Sequence, residues 1–181
     1  MSIAAAVEPT TRQPATGQSG SAHPAAHLPA EVLSFRLGAE EYGIDILKVQ
    51  EIRGYERPTR IANAPDFMKG VVNLRGVIVP VVDMRLHLGL THAAYDAATV
   101  VIILNVAKRT VGMVVDSVSG VLELHAHQVQ PAPVVNGVLN ASHILGLGTV
   151  TSTDGQRMLI LVDIERLMRS EQMGLVDDPA A

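Results

Sequence analysis

From Glu31 onward apolar and polar residues alternate along the chain. Leu33, Phe35 and Leu37 fall on one face and Ser34 and Arg36 on the other, Gly38-Ala39-Glu40 breaks the run, and Tyr42, Ile44 and Ile46 resume it over residues 41–46. Period-two alternation interrupted at a glycine predicts a half-exposed strand, a hairpin and a second strand. Residues 47–53 extend the pattern through Val49 and Ile52 until Gly54 stops it. Residues 63–70 carry a cap residue (Asn63), an early proline (Pro65) and a closing glycine (Gly70), which predicts one helical turn. That turn leads into residues 68–85, MKGVVNLRGVIVPVVDMR, where two β-branched runs, Val71-Val72 and residues 77–82, flank the polar corner Asn73-Leu74-Arg75-Gly76. The stretch predicts strand, tight turn, strand. Gly76 lets the backbone turn with positive φ, and Arg75 stands at the rim of a buried sheet, where its guanidinium is placed to meet a partner's carboxylate. Pro80 cannot donate to a ladder and predicts an edge strand or a bulge, a place where the sheet could face another protein. Residues 85–90 predict a short helix ending at Gly89.

After a polar linker at residues 91–99 the pattern begins again. Setting Gly43 over Gly112, a shift of 69, aligns Tyr42 with Val111, Ile44 with Met113, Ile46 with Val115, Val49 with Val118 and Ile52 with Val121. Setting Asp83 over Asp163, a shift of 80, aligns residues 81–84 (VVDM) with residues 161–164 (LVDI). The second copy therefore carries an insertion of 11 residues, expected within residues 130–156 with their Pro131-Ala132-Pro133 and Thr151-to-Gly155 loops. Such a repeat predicts two small β-barrels packed on each other, each repeat supplying about five short strands. Ile164, Leu167 and Met168, at helical spacing, predict a terminal helix over residues 163–173 lying against one barrel. The expected organisation is a tail at residues 1–29, one domain at residues 30–173 with its second copy from about residue 95, and a flexible C-terminus at residues 174–181.

Composition narrows the function classes. The tail is built from Ala, Pro, Gly, Ser and Thr with almost no large apolar residue, so it cannot offset its ordering entropy and is expected to be disordered. It lacks the basic start and apolar segment of a signal peptide, which predicts an intracellular protein, and no apolar run reaches membrane-spanning length. With 14 basic against 18 acidic residues and 3% aromatics, the chain has neither the charge nor the stacking platforms of a nucleic-acid binder. The absence of cysteine removes disulfides, thiolate metal sites and cysteine nucleophiles. Among seven histidines, His125 and His127 share an expected strand face, but a pair without a third ligand makes no metal site. There is no Gly-x-Ser-x-Gly elbow, phosphate loop or dinucleotide fingerprint; Gly146-Leu147-Gly148 lacks the third glycine and the helix. Asp45, Asp83, Asp116 and Asp163 each fall at a strand end, where a carboxylate caps a turn more readily than it serves as acid or base.

Two ordered motifs carry a specific resemblance. Residues 41–53, EYGIDILKVQEIR, and residues 69–83, KGVVNLRGVIVPVVD, resemble the bacterial chemotaxis coupling proteins of the CheW family, over about residues 32–168. The resemblance implies two intertwined, pseudo-symmetric five-stranded SH3-like barrels with short helices and a C-terminal helix. It also implies a non-enzymatic adaptor, free of cofactor and metal, that joins the cytoplasmic tips of chemoreceptors to the regulatory domain of the histidine kinase CheA. Carried over position by position, the receptor-facing residues are Val49, Glu51, Ile52, Gly70, Asn73, Arg75, Gly76, Val100 and Val121. Read without the resemblance, Val49, Val100 and Val121 are equally core positions, Arg75 is a surface ion pair, and Gly70 is either a helix stop or a point of close approach. Kinase contacts are placed near Gln130, Val134 and Val135, where close relatives carry an arginine before and an aromatic after the Pro-Ala-Pro motif and this chain has neither. The implied protein is cytoplasmic, is recruited to membrane-bound receptor arrays without inserting in the membrane, and self-associates weakly in array rings. The alternatives are a coupling protein of a parallel pathway for surface motility or second-messenger output, an enzyme using the cleft between the barrels, and a nucleic-acid-binding barrel.

Overall fold

The computed structural model describes residues 28–90, 93–133, 142–171, 173 and 175. Most of the expected tail, most of the expected flexible C-terminus and the two candidate kinase contacts Val134 and Val135 lie outside the described residues. Two residues assigned to those termini are instead packed: Leu28 lies against the Val32–Leu124 cluster, and Leu175 is 9% exposed in the main core.

The first half runs β1 (Glu31–Leu37), β2 (Glu40–Asp45), a 3-10 turn (Ile46–Lys48), β3 (Val49–Gly54), β4 (Met68–Leu74), β5 (Val77–Asp83) and α1 (Met84–His87). The second half repeats that order with β6 (Val100–Val106), β7 (Arg109–Val115), β8 (Ser117–Glu123), a 3-10 turn (Ala126–Gln128), β9 (Val129–Gln130), β10 (Ile144–Ser152), β11 (Gly155–Val162) and α2 (Ile164–Arg169). The extra residues of the second copy are split: seven lengthen the connection from β8 to β10 relative to that from β3 to β4, and four lengthen the β10–β11 hairpin.

The two halves are exchanged rather than side by side. One sheet has the order β8-β1-β2-β11-β10-β9 and the other β3-β6-β7-β5-β4. The first hairpin of each half therefore sits in the barrel completed by the last strands of the other half, through parallel pairings of β2 with β11 and of β5 with β7. This interweaving explains a correction at β1, which is buried on both faces rather than half-exposed. Leu33, Phe35 and Leu37 enter the core shared by the barrels, while Val32 points into its own barrel and Ser34, 1% exposed, donates to the Gly120 carbonyl at 3.1 Å. On β6, Ile102 and Leu104 likewise face the shared core and Val101 and Ile103 the barrel interior. The aligned glycines Gly43 and Gly112 line those narrow interiors, where an added Cβ would come within 3.0 Å of Leu161 and 3.1 Å of Val101 respectively.

Three further local expectations shift. The helical turn at residues 63–70 is absent: Asn63 is left-handed (φ 60°), Met68 donates to the Pro65 carbonyl, and β4 already begins at Met68. Strand pairing over the length of β5 outweighs the weak preference of one turn. Pro80 is not on an edge strand, since β5 lies between β4 and β7. The β7 ladder begins only at Val81, however, so at Pro80 that flank of β5 needs no N–H. The terminal helix is shorter than residues 163–173, ending at Arg169 with a Ser170 cap.

Candidate functional site

The polar corner is built by backbone geometry first. Arg75 (φ 52°) and Gly76 (φ 86°) occupy the two central positions of a tight hairpin turn, and Asn73 Oδ1 accepts from the Gly76 N–H at 2.8 Å. Positive φ at both positions matches the twist of the flanking strands. The β6–β7 turn does the same with Ala107 and Lys108, so the conformation is a hairpin requirement and not a signature of function. The turn projects Arg75 outward with its side chain 71% exposed, and Arg75 Nη2 donates to Glu51 Oε2 on β3 at 2.7 Å. An in-chain carboxylate thus already holds the group expected to meet a partner's. The remaining guanidinium N–H groups stay turned to solvent, where they can take a second acceptor. The other carboxylate oxygen of Glu51, Oε1, is buried without a partner.

The structure brings Glu51, Asn73, Arg75 and Gly76 into one cluster across the gap between the edge strands β3 and β4. Ile52, 43% exposed, pairs with Ile102 and turns to the side of the sheet that bears the shared core. Val49 and Val100 are partly buried against that core, so packing accounts for both. Gly70 is buried and serves close approach within the chain: a Cβ there would meet the Thr59 carbonyl oxygen, whose residue pairs with Val71. Val121 is 52% exposed on β8, in the other sheet, apart from the corner. Gln130 is exposed on β9.

A groove of about 420 Å³ lined by Arg36, Glu40, Glu41, Arg157, Met158 and Ile160 reaches the size of a small-molecule site, but it lies on the other sheet from the corner. Among the described residues no group of three or more His, Asp or Glu side chains is placed to hold a metal. His125 caps a 3-10 turn and His127 lies within it, so they do not share a strand face; their exposed rings stack 5.6 Å apart. Asp45, Asp83 and Asp163 cap backbone N–H groups of Leu47, Arg85 and Arg166, and Asp116 accepts from Gly38 N. The space between the barrels is filled by the shared core, leaving a void of about 10 Å³ lined by Phe35, Tyr42, Met113 and Leu167. The cleft beside the corner, under Val72 and Leu74, amounts to about 50 Å³, far below the few hundred Å³ of a small-molecule site. Among the described residues no helix is long and apolar enough to cross a membrane.

One constellation escaped sequence reasoning. Arg85, 1% exposed, grips Asp83 through Nε and Nη2 at 2.9 and 2.8 Å, while its Nη1 reaches Asp116 at 2.9 Å and the Ala94 carbonyl at 2.5 Å. Tyr95 donates to Asp83 at 2.7 Å and stacks on Tyr55 with centroids 4.4 Å apart. Burial alone would raise the Asp83 carboxyl, but the bonds from Arg85 and Tyr95 outweigh it and hold it below the usual carboxylate range. The network anchors the linker between the two halves, and through Asp116 it also holds the β1–β2 turn at Gly38. An arginine two residues beyond a strand-end aspartate in apolar surroundings was the available signal.

Comparison with known proteins gives a consistent answer. A family model described as "CheW-like domain" matches residues 31–172. The chain is 59% identical over 150 residues to the chemotaxis protein CheW of Klebsiella aerogenes, covering 83% of this chain and 88% of that one. It is 35% identical over 142 residues to CheW of Rhizobium meliloti, covering 78% and 89%. Among solved structures it is similar to the scaffolding protein TtCheW of Thermoanaerobacter tengcongensis, with a TM-score of 0.68, 27% identity, and coverage of 84% of this chain and 94% of that one.

Proposed function

The chain belongs to the CheW-like domain family, and from that premise we propose that it is a non-enzymatic adaptor coupling the cytoplasmic tips of chemoreceptors to the regulatory domain of CheA. The observation that carries the reading is the match over residues 31–172 together with the exposed Asn73, Arg75 and Gly76 of the corner, which stand at positions the family resemblance assigns to the receptor. The receptor face comprises Arg75, Asn73, Gly76, Glu51 and Ile52, bordered by Val49 and Val100. The resemblance also assigns to the receptor Gly70, which lets Thr59 approach β4, and Val121, which stands on the other sheet. The kinase meets the protein near Gln130. The chain works in the cytoplasm, joined to membrane-bound receptor arrays through its partners and carrying no membrane-crossing helix among its described residues. An adaptor needs two protein-docking surfaces, and the exposed Arg75 at the corner is placed to serve one of them.

The test is a pull-down of purified protein with a receptor cytoplasmic fragment and CheA, comparing wild type with Arg75→Ala and Arg75→Glu. Arg75 is exposed and its ion pair contributes at most about 1 kcal/mol to folding, so all three proteins melt within a few degrees of one another. Wild type bridges the two partners, and Arg75→Glu loses the receptor while retaining the kinase. Binding of both partners by both variants at wild-type strength would remove Arg75 from the receptor face. Failure of wild type to bind either partner would overturn the adaptor reading itself.

A further inference from the structure

Two histidines are buried where the two halves of the chain meet. His87 ends α1 of the first half, His143 precedes β10 of the second, and each is 8% exposed. His87 Nε2 and His143 Nδ1 are enclosed without a hydrogen-bond partner. A neutral imidazole can occupy such a place, but an imidazolium needs an acceptor for each N–H and finds none at these atoms. His87 lies edge-on to the Phe67 ring at 5.1 Å, and the titratable group facing it is His143, near enough that charge on one opposes charge on the other. His143 in turn faces Asp163, which favours its charge, and Arg166, which opposes it. The fold does not require imidazole at either place. Under the shift of 80, Leu167 stands where His87 does, and Phe67, whose carbonyl accepts the Asp83 N–H as that of His143 accepts the Asp163 N–H, is its counterpart.

His143 is also a point of attachment. Its carbonyl bond to Asp163 measures 2.8 Å, and the Ser142 carbonyl accepts from Arg166 Nη1 at 3.3 Å, so the approach to β10 is tied to the start of α2. Immediately beyond, the register of β10 on β11 slips between Ile144 and Gly146. At Gly146 the short strand β9 lies so close that an added Cβ would come within 2.8 Å of the Gln130 carbonyl oxygen, and Gln130 pairs with Leu147. The seat of β9 is therefore narrow, and a displacement at the irregular end of β10 reaches it directly.

We propose that His87 and His143 form an acid-sensitive latch: with both rings neutral they close the join between α1 and the approach to β10, and with both charged they part and unseat β9 with the surface around Gln130. Coupling to the kinase then weakens as the surroundings acidify. That consequence rests on the adaptor reading above; the latch itself does not.

The experiment follows amide hydrogen exchange in wild type and in the double variant His87→Gln/His143→Gln, the two compared at the same pH, at pH 7.5 and at pH 5.5. The CheA regulatory domain is titrated onto both by calorimetry. At pH 7.5 the two proteins match. At pH 5.5 the amides of residues 144–150 exchange on the order of tenfold faster in wild type than in the variant, those of β6 and β7 differ less, and the kinase domain binds wild type more weakly than the variant. Equal exchange at pH 5.5, or an excess spread evenly over the chain, overturns the latch. The imidazole signals of wild type, followed by NMR, give a second criterion that needs no substitution: protection of residues 144–150 falls over the pH interval in which the two rings charge, and rings that charge with protection intact also overturn it. Kinase binding that ignores pH while the exchange difference stands removes the link to coupling. A wild type that binds no kinase at either pH overturns the adaptor reading, and the exchange comparison then decides the latch alone.

Discussion

Replacing Arg85 with methionine isolates the buried ion network. The guanidinium is 1% exposed and Asp83 0%, and the two share a pair of charge-assisted hydrogen bonds at 2.9 and 2.8 Å. Arg85→Met keeps comparable apolar bulk but leaves the Asp83 carboxylate with the Tyr95 hydroxyl and one backbone N–H in place of a full counter-charge. Breaking a buried pair from one side costs about 3–5 kcal/mol, a large share of the roughly 5–15 kcal/mol that stabilises a domain. At about 2–4 °C per kcal/mol for a chain of this size, the melting point falls by roughly 6–20 °C. The pH dependence supplies the sharper criterion. In wild type the folded pKa of Asp83 is lowered, so its contribution is complete above the unfolded value near 3.8 and is lost as pH falls through the folded value. In Arg85→Met burial acts with less opposition and raises that pKa, so the deficit is largest at neutral pH and shrinks on acidification as the carboxyl takes up a proton. Urea unfolding followed by far-UV circular dichroism, the chain having no tryptophan, measures the gap between the two proteins from pH 7.5 to 4.5. A gap below about 1 kcal/mol, or one independent of pH, would refute the reasoning.

Two other substitutions probe separate features. Gly70→Ala drives a Cβ into the Thr59 carbonyl oxygen at φ +133°, whereas Gly76→Ala meets open space at φ +86°. The first lowers the urea midpoint by several times the second, whose cost is confined to the ~1 kcal/mol of a left-handed alanine; equal effects would mean that the 55–67 loop yields freely. His87 and His143 are each 8% exposed, and burial lowers both folded pKa values from 6.5, His87 further through the neighbouring His143 and His143 against an opposing pull from Asp163. Each therefore contributes stability that is complete above pH 6.5 and lost as pH falls toward its folded value. The urea midpoint of wild type declines between pH 7 and 5, and His87→Gln, which cannot charge, declines less; identical slopes would rule His87 out as a source of the acid sensitivity.

Much of the architecture was legible in the chain because strands and tight turns are decided by near neighbours. Alternation marked β1, β2 and β3, the Asn73-to-Gly76 corner marked its hairpin, and the shifts of 69 and 80 recovered the correspondence of β2 with β7 and of β5 with β11. The candidate site was legible only in part. Motif comparison picked out Arg75, but that it stands beside Glu51, 24 positions away, followed from β3 and β4 facing each other across the barrel opening. The same comparison could not distinguish Gly70, a point of backbone contact, from a surface residue, because both leave a bare glycine in the motif.

By itself, the sequence determined the order of elements, their turns, the two-fold repetition and the lack of cysteine chemistry, since these depend on residue type and spacing over a few positions. That the first hairpin of each half completes the other half's barrel was implied by the family resemblance but not by the alternation pattern, and it is decided by tertiary packing. An isolated β1–β2 hairpin has the same local preferences wherever it docks, and the choice is made by burying both of its faces at once, Val32 and Ser34 within one barrel and Leu33, Phe35 and Leu37 against the other. The same exchange brings Asp83, Arg85, Tyr95 and Asp116 together at the join, where a charge buried in apolar surroundings is tolerable only because three separated segments converge on it.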